Sequence, residues 1–332
     1  MKVLLVKTSS MGDLIHTLPA VTDARRFHPD IEFDWVAEES FAEIPLWHPA
    51  VRQVLPVAMR RWRKILHRKA TWQEISGAIQ RIREKHYDLV IDAQGLIKSA
   101  LITRLCRGVR CGLDSNSCWE PIAALAYQRK VQVARDLHAI ARMRTLFAGI
   151  LDYNYDPEQL HYGLQKEAFS GGDYAGRYLV FLHGTSRREK SWELRQWVRL
   201  AAVAGRAGLT VYLPWGNEEE QRFAGEIARQ SANAIVLPRM KLTEVAALLA
   251  QADAVVGVDT GLAHLTAALN VPAVTLYIDT SPVSTGACGD NQTSLTQQPE
   301  SDRAHATAGL KVFFHRHLTA EIVWGYLQEK LK

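Results

Sequence analysis

The sequence predicts an α/β protein built of two doubly wound domains, and three observations carry that prediction. Short apolar runs alternate with segments whose apolar residues recur at helical spacing, the pattern of parallel strands covered by helices on both faces. The alternation breaks between residues 152 and 176, where Pro157, the Gly171-Gly172 pair and scattered Asn, Asp and Tyr residues leave no sustained period. The 332 residues are too many for one ordinary core and suit two.

The first half opens with the apolar run Val3 to Val6 and Lys7, a strand, after which Leu14, Leu18, Val21 and Ala24 continue at helical spacing. Between them lies the turn Thr8-Ser9-Ser10-Met11-Gly12-Asp13. Residues 33–37 and 89–92 read as further strands and 75–84 and 96–106 as helices, with helical patterns again over 119–127 and 137–151. In the second half, strands over 178–182, 210–213, 234–237, 254–258 and 273–277 alternate with helices over 194–206, 218–230, 242–250 and 262–269. Residues 280–308 carry little periodicity, and 319–331 read as a terminal helix. The predicted organisation is a first domain over 1–155, a linker over 156–176, a second domain over 177–318, and a C-terminal helix over 319–332 that packs back on the first domain.

Composition and motifs exclude several classes. The apolar run near Met1 is too short for a signal-peptide core or a membrane span, which predicts a cytoplasmic protein. Cys106, Cys111, Cys118 and Cys288 form no C-x-x-C pair and have no His-x-x-x-His partner, so they are expected to be reduced packing residues rather than disulfide or zinc ligands. The first loop has one glycine instead of G-x-G-x-x-G; neither a G-x-x-x-x-G-K-[ST] loop nor a G-x-S-x-G elbow is present. Dinucleotide dehydrogenases, P-loop enzymes and α/β-hydrolases lose their main support. The net charge of +5 is unevenly placed: residues 44–73 hold no acid but seven cations, Arg52, Arg60, Arg61, Arg63, Lys64, Arg68 and Lys69. That window suits an anionic partner.

Ligands of open parallel sheets bind outside the carboxyl ends of the strands, where helix N-termini offer free amides and a positive dipole end. Five polar clusters fall at such places: Gly12-Asp13; Gln94-Gly95 with Lys98; His183-Gly184-Thr185-Ser186 with Lys190; Trp215-Gly216 with Glu220; and Asp259-Thr260-Gly261 with His264. The amides of Thr260 and Gly261 suit a diphosphate, although an Asp or Thr at that position also serves simply as a helix cap. Lys190 can neutralise the same phosphates, or lie in solvent. Glu220 can take two hydrogen bonds from a ribose diol, or be part of an acidic first helical turn. Asp13, directly after a glycine, can take a proton from an attacking hydroxyl or cap the first helix. His264 can meet a phosphate or pack. Arg60-Arg61-Trp62-Arg63-Lys64 can meet phosphorylated sugar, an anionic membrane surface or nucleic acid, or form a solvated loop; with no nucleic-acid-binding motif, the sugar or membrane use is favoured.

Taken together, Lys7-Thr8-Ser9-Ser10-Met11-Gly12-Asp13 with His16-Thr17-Leu18-Pro19-Ala20, Asp92-Ala93-Gln94-Gly95-Leu96 with Lys98-Ser99, and Asp259-Thr260-Gly261-Leu262-Ala263-His264-Leu265-Thr266-Ala267-Ala268 resemble the bacterial lipopolysaccharide heptosyltransferases, over roughly residues 1–277. The Thr-Ser-Ser-Met-Gly-Asp form and the Arg-Arg-Trp-Arg-Lys segment are similar to the heptosyltransferase I branch, which adds the first heptose to Kdo2-lipid A.

The resemblance implies a GT-B architecture, two Rossmann-like domains facing across a cleft, with the acceptor on the first and the donor on the second. It implies ADP-L-glycero-D-manno-heptose as donor, Kdo2-lipid A as acceptor, inversion at the anomeric carbon, no metal or other cofactor, and peripheral association with the anionic cytoplasmic face of the inner membrane. By position, Asp13 is the implied base. Thr185, Ser186 and Lys190 are implied donor-phosphate contacts, Lys190 also stabilising the leaving ADP. Glu220 is implied at the ribose, Met240 near the adenine, and Asp259, Thr260, Gly261 and His264 at the heptose diphosphate. Arg60, Arg61, Arg63, Lys64, Gln94 and Lys98 are implied for the acceptor. After Tyr277 the family commonly continues Gly-x-Thr-x-Pro, whereas here Ile278-Asp279-Thr280-Ser281-Pro282 stands, and no donor contact is assigned to residues 278–298. Alternatives of other classes are a transferase of the same fold using another nucleotide sugar, a non-catalytic nucleotide-sugar-binding protein, and a nucleic-acid-binding protein using the basic segment.

Overall fold

Two wholly parallel sheets form, one in each half of the chain, because each half supplies strands apolar enough to be covered on both faces. The structure is a computed structural model and describes residues 1–172, 174, 176–185, 187–299 and 307–331. Chain contacts divide it into two units, the first of Met1–Pro157 with His161–Leu164, the second of Glu158–Leu160 with the chain from Gln165 on.

In the first unit the strands are β1 (Lys2–Val6), β2 (Glu32–Glu38), β3 (Val51–Val57), β4 (His86–Asp92), β5 (Arg107–Leu113) and β6 (Arg129–Val131), in the order β3-β2-β1-β4-β5-β6. Val3, Leu4, Leu5 and Val6 of β1 are wholly buried between β2 and β4. The helices Met11–Phe27 and Ala139–Leu151 pack on one another, while Ile82 of the helix Lys69–Glu84 and Ile102 of the helix Ile97–Leu105 share a core with Leu4, Val6 and Val90. In the second unit β7 (Tyr178–Leu182), β8 (Thr210–Leu213), β9 (Ala234–Val236), β10 (Ala254–Val258), β11 (Ala273–Tyr277), β12 (Gln292–Thr296) and β13 (Val312–Phe314) lie in the order β13-β12-β11-β10-β7-β8-β9. Read from the β9 edge, this repeats the first sheet with one strand more.

Several strands were not expected, and each has a local reason. β3 carries Arg52 and Pro56, tolerated because it is an edge strand. β5 is interrupted by Arg107, Gly108 and Arg110, and β12 is polar in sequence (Gln-Thr-Ser-Leu-Thr) yet wholly buried. β6 and β13 are three-residue edges. The helical pattern over 119–127 becomes a 3₁₀ turn, Pro121–Ala126. All four cysteines are free and buried.

The terminal helix requires a correction. Ala320–Lys330 packs within the second unit rather than back on the first: Leu318, Ala320, Val323 and Leu327 are buried in one core with Trp192, Trp197 and Leu200. Trp192 Nε1 donates to Leu318 O at 2.9 Å and the Ala320 amide to Gln196 Oε1 at 2.9 Å. The two tryptophans form an apolar wall that an amphipathic helix covers.

Candidate active site

In a doubly wound sheet the ligand crevice lies beyond the carboxyl ends of the two strands where the strand order reverses. In the first unit these are β1 and β4, which end in Thr8–Asp13 and Ala93–Gly95; in the second they are β7 and β10, which end in His183–Thr185 and Asp259–Gly261. Most of the expected residues therefore sit at the two switch points.

In the first unit the loop after β1 is tied to the loop after β4 by one buried carboxamide. Gln94 Oε1 accepts from the amides of Thr8 (2.9 Å) and Ser9 (3.3 Å), and Gln94 Nε2 donates to Ser9 O (2.7 Å). Gln94, expected at the acceptor, thus acts as a positioning residue whose polar atoms are largely spent on the loop. Asp92 secures the same turn, its Oδ1 accepting from the amides of Gln94 and Gly95 and its Oδ2 from Tyr127 OH. Gly95 adopts φ +68°, a left-handed conformation that a glycine takes without strain. Burial raises the Asp92 pKa, and the Tyr127 hydrogen bond opposes it.

The result is a fixed platform for Asp13. Its Oδ2 accepts from the amide (2.6 Å) and hydroxyl (2.8 Å) of Ser10, the N-cap of the first helix. Its Oδ1 faces the buried Lys7 Nζ at 3.9 Å, and the side chain remains 41% exposed. Burial lowers the Lys7 pKa, against the charges of Asp13 and Asp92 that raise it; the ammonium also donates to Ala93 O. Asp13 therefore caps the helix with one oxygen and presents the other. Lys98 is exposed and donates to Ser9 Oγ at 3.2 Å.

The cationic segment is less free than its sequence suggests. Arg61 is held by Glu39 (Nε to Oε1, 3.0 Å; Nη2 to Oε2, 3.1 Å) and by Glu74 Oε2 at 2.9 Å, and these carboxylates raise its pKa. Arg60 lies over the Phe41 ring at 5.2 Å. Arg63 and Lys64 are exposed, with no ion pair among the described residues. Arg61 is thus a brace for the segment, tying it to Glu39 and Glu74.

In the second unit, Lys190 Nζ pairs with Asp259 Oδ2 at 2.5 Å, and Thr280 Oγ1 donates to the same oxygen at 2.9 Å. The helix Gly261–Ala268 begins at Thr260 with no side-chain capping bond, so neither Thr260 nor the engaged Asp259 is a mere cap. His264 is buried in that helix. Beside β7 opens a cavity of about 400 Å³ lined by His183, Gly184, Thr185, Ser191, Asn217, Glu219, Glu220 and Phe223. Thr185 Oγ1 and both His183 ring nitrogens are buried without a hydrogen-bond partner among the described residues, so this wall has polar atoms to offer a ligand. Glu220 is oriented by Gly216 N (2.7 Å) and Asn217 Nδ2 (2.8 Å), one bond per oxygen, which leaves acceptor capacity on both. Met240 lines another cavity, about 510 Å³, with Tyr174, Pro238 and Arg239. Ser186 lies outside the described residues.

The family model for glycosyltransferase family 9 (heptosyltransferase) matches residues 76–311. Lipopolysaccharide heptosyltransferase 1 of Pseudomonas aeruginosa is 51% identical over 299 residues, covering 89% of this chain and 83% of that protein. The chain belongs to glycosyltransferase family 9, the heptosyltransferases. Lipopolysaccharide heptosyltransferase 1 of Escherichia coli O18:K1:H7 is 46% identical, covering 93% of this chain and 95% of its own. The solved structure of E. coli heptosyltransferase WaaC with ADP superposes with a TM-score of 0.89 at 43% identity, covering 99% and 100% of the two chains. The expected GT-B class and the heptosyltransferase I resemblance stand with these findings, as does a role in lipopolysaccharide core biosynthesis.

Within this family 9 site, one residue was given no part by the sequence and another was named only as a member of a cluster. Thr280 falls in the segment that departs from the family pattern, and only the fold brings its hydroxyl to Asp259. His183 stands in a polar cluster recognised from sequence, but its burial, which lowers its pKa to about 4 and keeps it neutral, is a tertiary property.

Proposed function

We propose that the chain transfers L-glycero-D-manno-heptose from ADP-heptose to a Kdo hydroxyl of Kdo2-lipid A, inverting the anomeric carbon, at the cytoplasmic face of the inner membrane. The observation that carries the reading is the pairing of chemistries at the two switch points, an exposed carboxylate oxygen on a rigid turn and a cation beside an uncapped helix N-terminus. Support for the donor comes from E. coli heptosyltransferase WaaC, 43% identical and solved with ADP-2-deoxy-2-fluoro heptose.

Asp13 Oδ1 takes the proton as the acceptor hydroxyl attacks the anomeric carbon. The bond to ADP breaks on the opposite face, and the charge gathering on the leaving diphosphate is stabilised by Lys190 and by the amides at the start of the helix Gly261–Ala268. Asp259 and Thr280 keep the lysine in place, and Thr185 supplies a hydroxyl. Glu220 accepts from the ribose diol. With a lysine and a helix terminus available for that charge, the reaction is proposed to run without a metal.

The test is incubation with ADP-heptose and Kdo2-lipid A in the presence of a chelator, read by mass spectrometry. A gain of one heptose is expected; no gain, or preferential use of a UDP-sugar, overturns the reading. Asp13→Asn should keep ADP binding and lower turnover by roughly 10²- to 10⁴-fold. An undiminished rate would leave Asp13 with capping alone.

A further inference from the structure

The first unit exposes an apolar face that its own packing leaves uncovered. In the helix Ile97–Leu105, Ser99, Ala100, Ile102 and Thr103 turn inward, while Ile97 and Leu101, four residues apart, turn outward with Lys98 and Arg104. The 3₁₀ turn Pro121–Ala126 packs against this helix. Its three-residue period buries Ala123 and Ala126 and leaves Ile122 and Leu125 outward, 66% and 77% exposed. Leu101 is 62% exposed, and Trp119, just before the turn, is 61% exposed although the Arg142 guanidinium lies 4.6 Å from its ring. The two elements are joined by the Ile97 amide donating to Glu120 Oε2 at 2.5 Å. Large apolar side chains grouped in this way mark a binding surface.

We infer that the face formed by Ile97, Leu101, Trp119, Ile122 and Leu125 docks this unit on an anionic lipid bilayer, its apolar side chains entering the headgroup boundary and its cations meeting the lipid phosphates. Charge selects this occupant. Lys98 and Arg104 stand on the outward side of the helix and the Arg142 guanidinium lies over Trp119, against the single carboxylate of Glu120, so a symmetric pairing of two copies through the face would oppose like charges, whereas an anionic bilayer is attracted. The cationic segment belongs to the same layer, since Met59 and Trp62 pack on the core that holds Ile102. Among the described residues no helix is long and apolar enough to cross a membrane, so the docking is interfacial. The inference rests on the proposed lipid acceptor only in motive, because bilayer binding needs no sugar.

The full-length protein is floated with vesicles of phosphatidylethanolamine and phosphatidylglycerol, without either substrate, beside the triple variant Leu101→Ser, Ile122→Ser, Leu125→Ser. Wild type is expected to float with the vesicles and the variant to lose about tenfold or more of its partitioning, with turnover on a deacylated, water-soluble acceptor unchanged. Equal flotation of the variant, equal binding to neutral phosphatidylcholine vesicles, or a lipid-free dimer that the variant dissolves would overturn the assignment. Should the variant not fold, quenching by lipids with brominated chains, compared between wild type and Trp119→Phe, decides instead: a loss of quenching with Trp119 supports the docking and equal quenching sinks it. Vesicle binding without turnover would count against the proposed reaction alone.

Discussion

Asp13 was legible as a residue that either caps or reacts, and the folded geometry leaves room for both readings. Oδ2 serves Ser10 while Oδ1 faces Lys7 and solvent. Pairings between distant residues were not legible. Arg61 looked free because residues 44–73 contain no acid, but Glu39 and Glu74 lie just outside that window and fold onto it. Arg61→Gln should therefore loosen the segment, lowering its thermal midpoint slightly, with little direct effect on acceptor KM. Arg63→Gln with Lys64→Gln should raise acceptor KM several-fold at low salt and less at physiological ionic strength, where screening reaches about 8 Å. Steady-state kinetics at two salt concentrations separates the outcomes, and an equal response of the two variants would contradict the distinction. Lys190→Ala should lower kcat/KM roughly 10²- to 10³-fold, the range for losing one electrostatic stabiliser. Asp259→Asn, which keeps the cation but releases it, should cost less. A larger loss from Asp259→Asn would give the carboxylate a direct part in the reaction.

Among the elements, strands buried on both faces with apolar runs, such as β1, β7, β10 and β11, announced themselves, since their side chains have only core to meet. β12 did not, because its threonine, serine and glutamine side chains are as buried as the leucine but carry no apolar signal. The terminal helix was legible as a helix and misplaced as a neighbour. Its partners, Trp192 and Trp197, are more than 120 residues away, a separation periodicity cannot bridge. Leu327 is wholly buried there. Leu327→Ala should destabilise the second unit by about 2–5 kcal/mol, the usual range for deleting a buried leucine side chain. Urea unfolding followed by tryptophan fluorescence measures it, and a loss below about 1 kcal/mol would mean that the helix is only loosely held.

On the scale of the whole molecule, each unit buries a histidine that must stay neutral. In the first, His48 Nδ1 accepts from the Ala50 amide at 3.1 Å and Nε2 lies 3.0 Å from Thr22 Oγ1; in the second, His183 sits under Phe223. Burial lowers both pKa values from 6.5 to about 4. Because the folded values lie below the unfolded ones, the unfolded chain takes up the proton first. The stabilising contribution is then present above pH 6.5 and lost as pH falls toward 4, by up to about 3 kcal/mol for each histidine. Thermal midpoints should fall between pH 6.5 and 4.5 more steeply for the wild type than for His48→Gln or His183→Leu. Parallel slopes would show that these histidines are not buried neutral.

The two-domain α/β class, the principal strands and the loops that carry Asp13, Lys190, Glu220 and Asp259 were legible from local pattern, because periodicity and turn chemistry are local and parallel sheets place their ligands at strand ends. Which polar atoms are spent and which are available follows from the folded arrangement. Gln94 is consumed in joining two loops, Arg61 in two ion pairs, and Thr280 in holding Asp259, while the Thr185 hydroxyl oxygen and the His183 ring nitrogens are buried without a hydrogen-bond partner among the described residues. A hydrogen bond depends on two groups meeting within about 3 Å, and Thr8 and Gln94, which meet here, stand 86 residues apart along the chain.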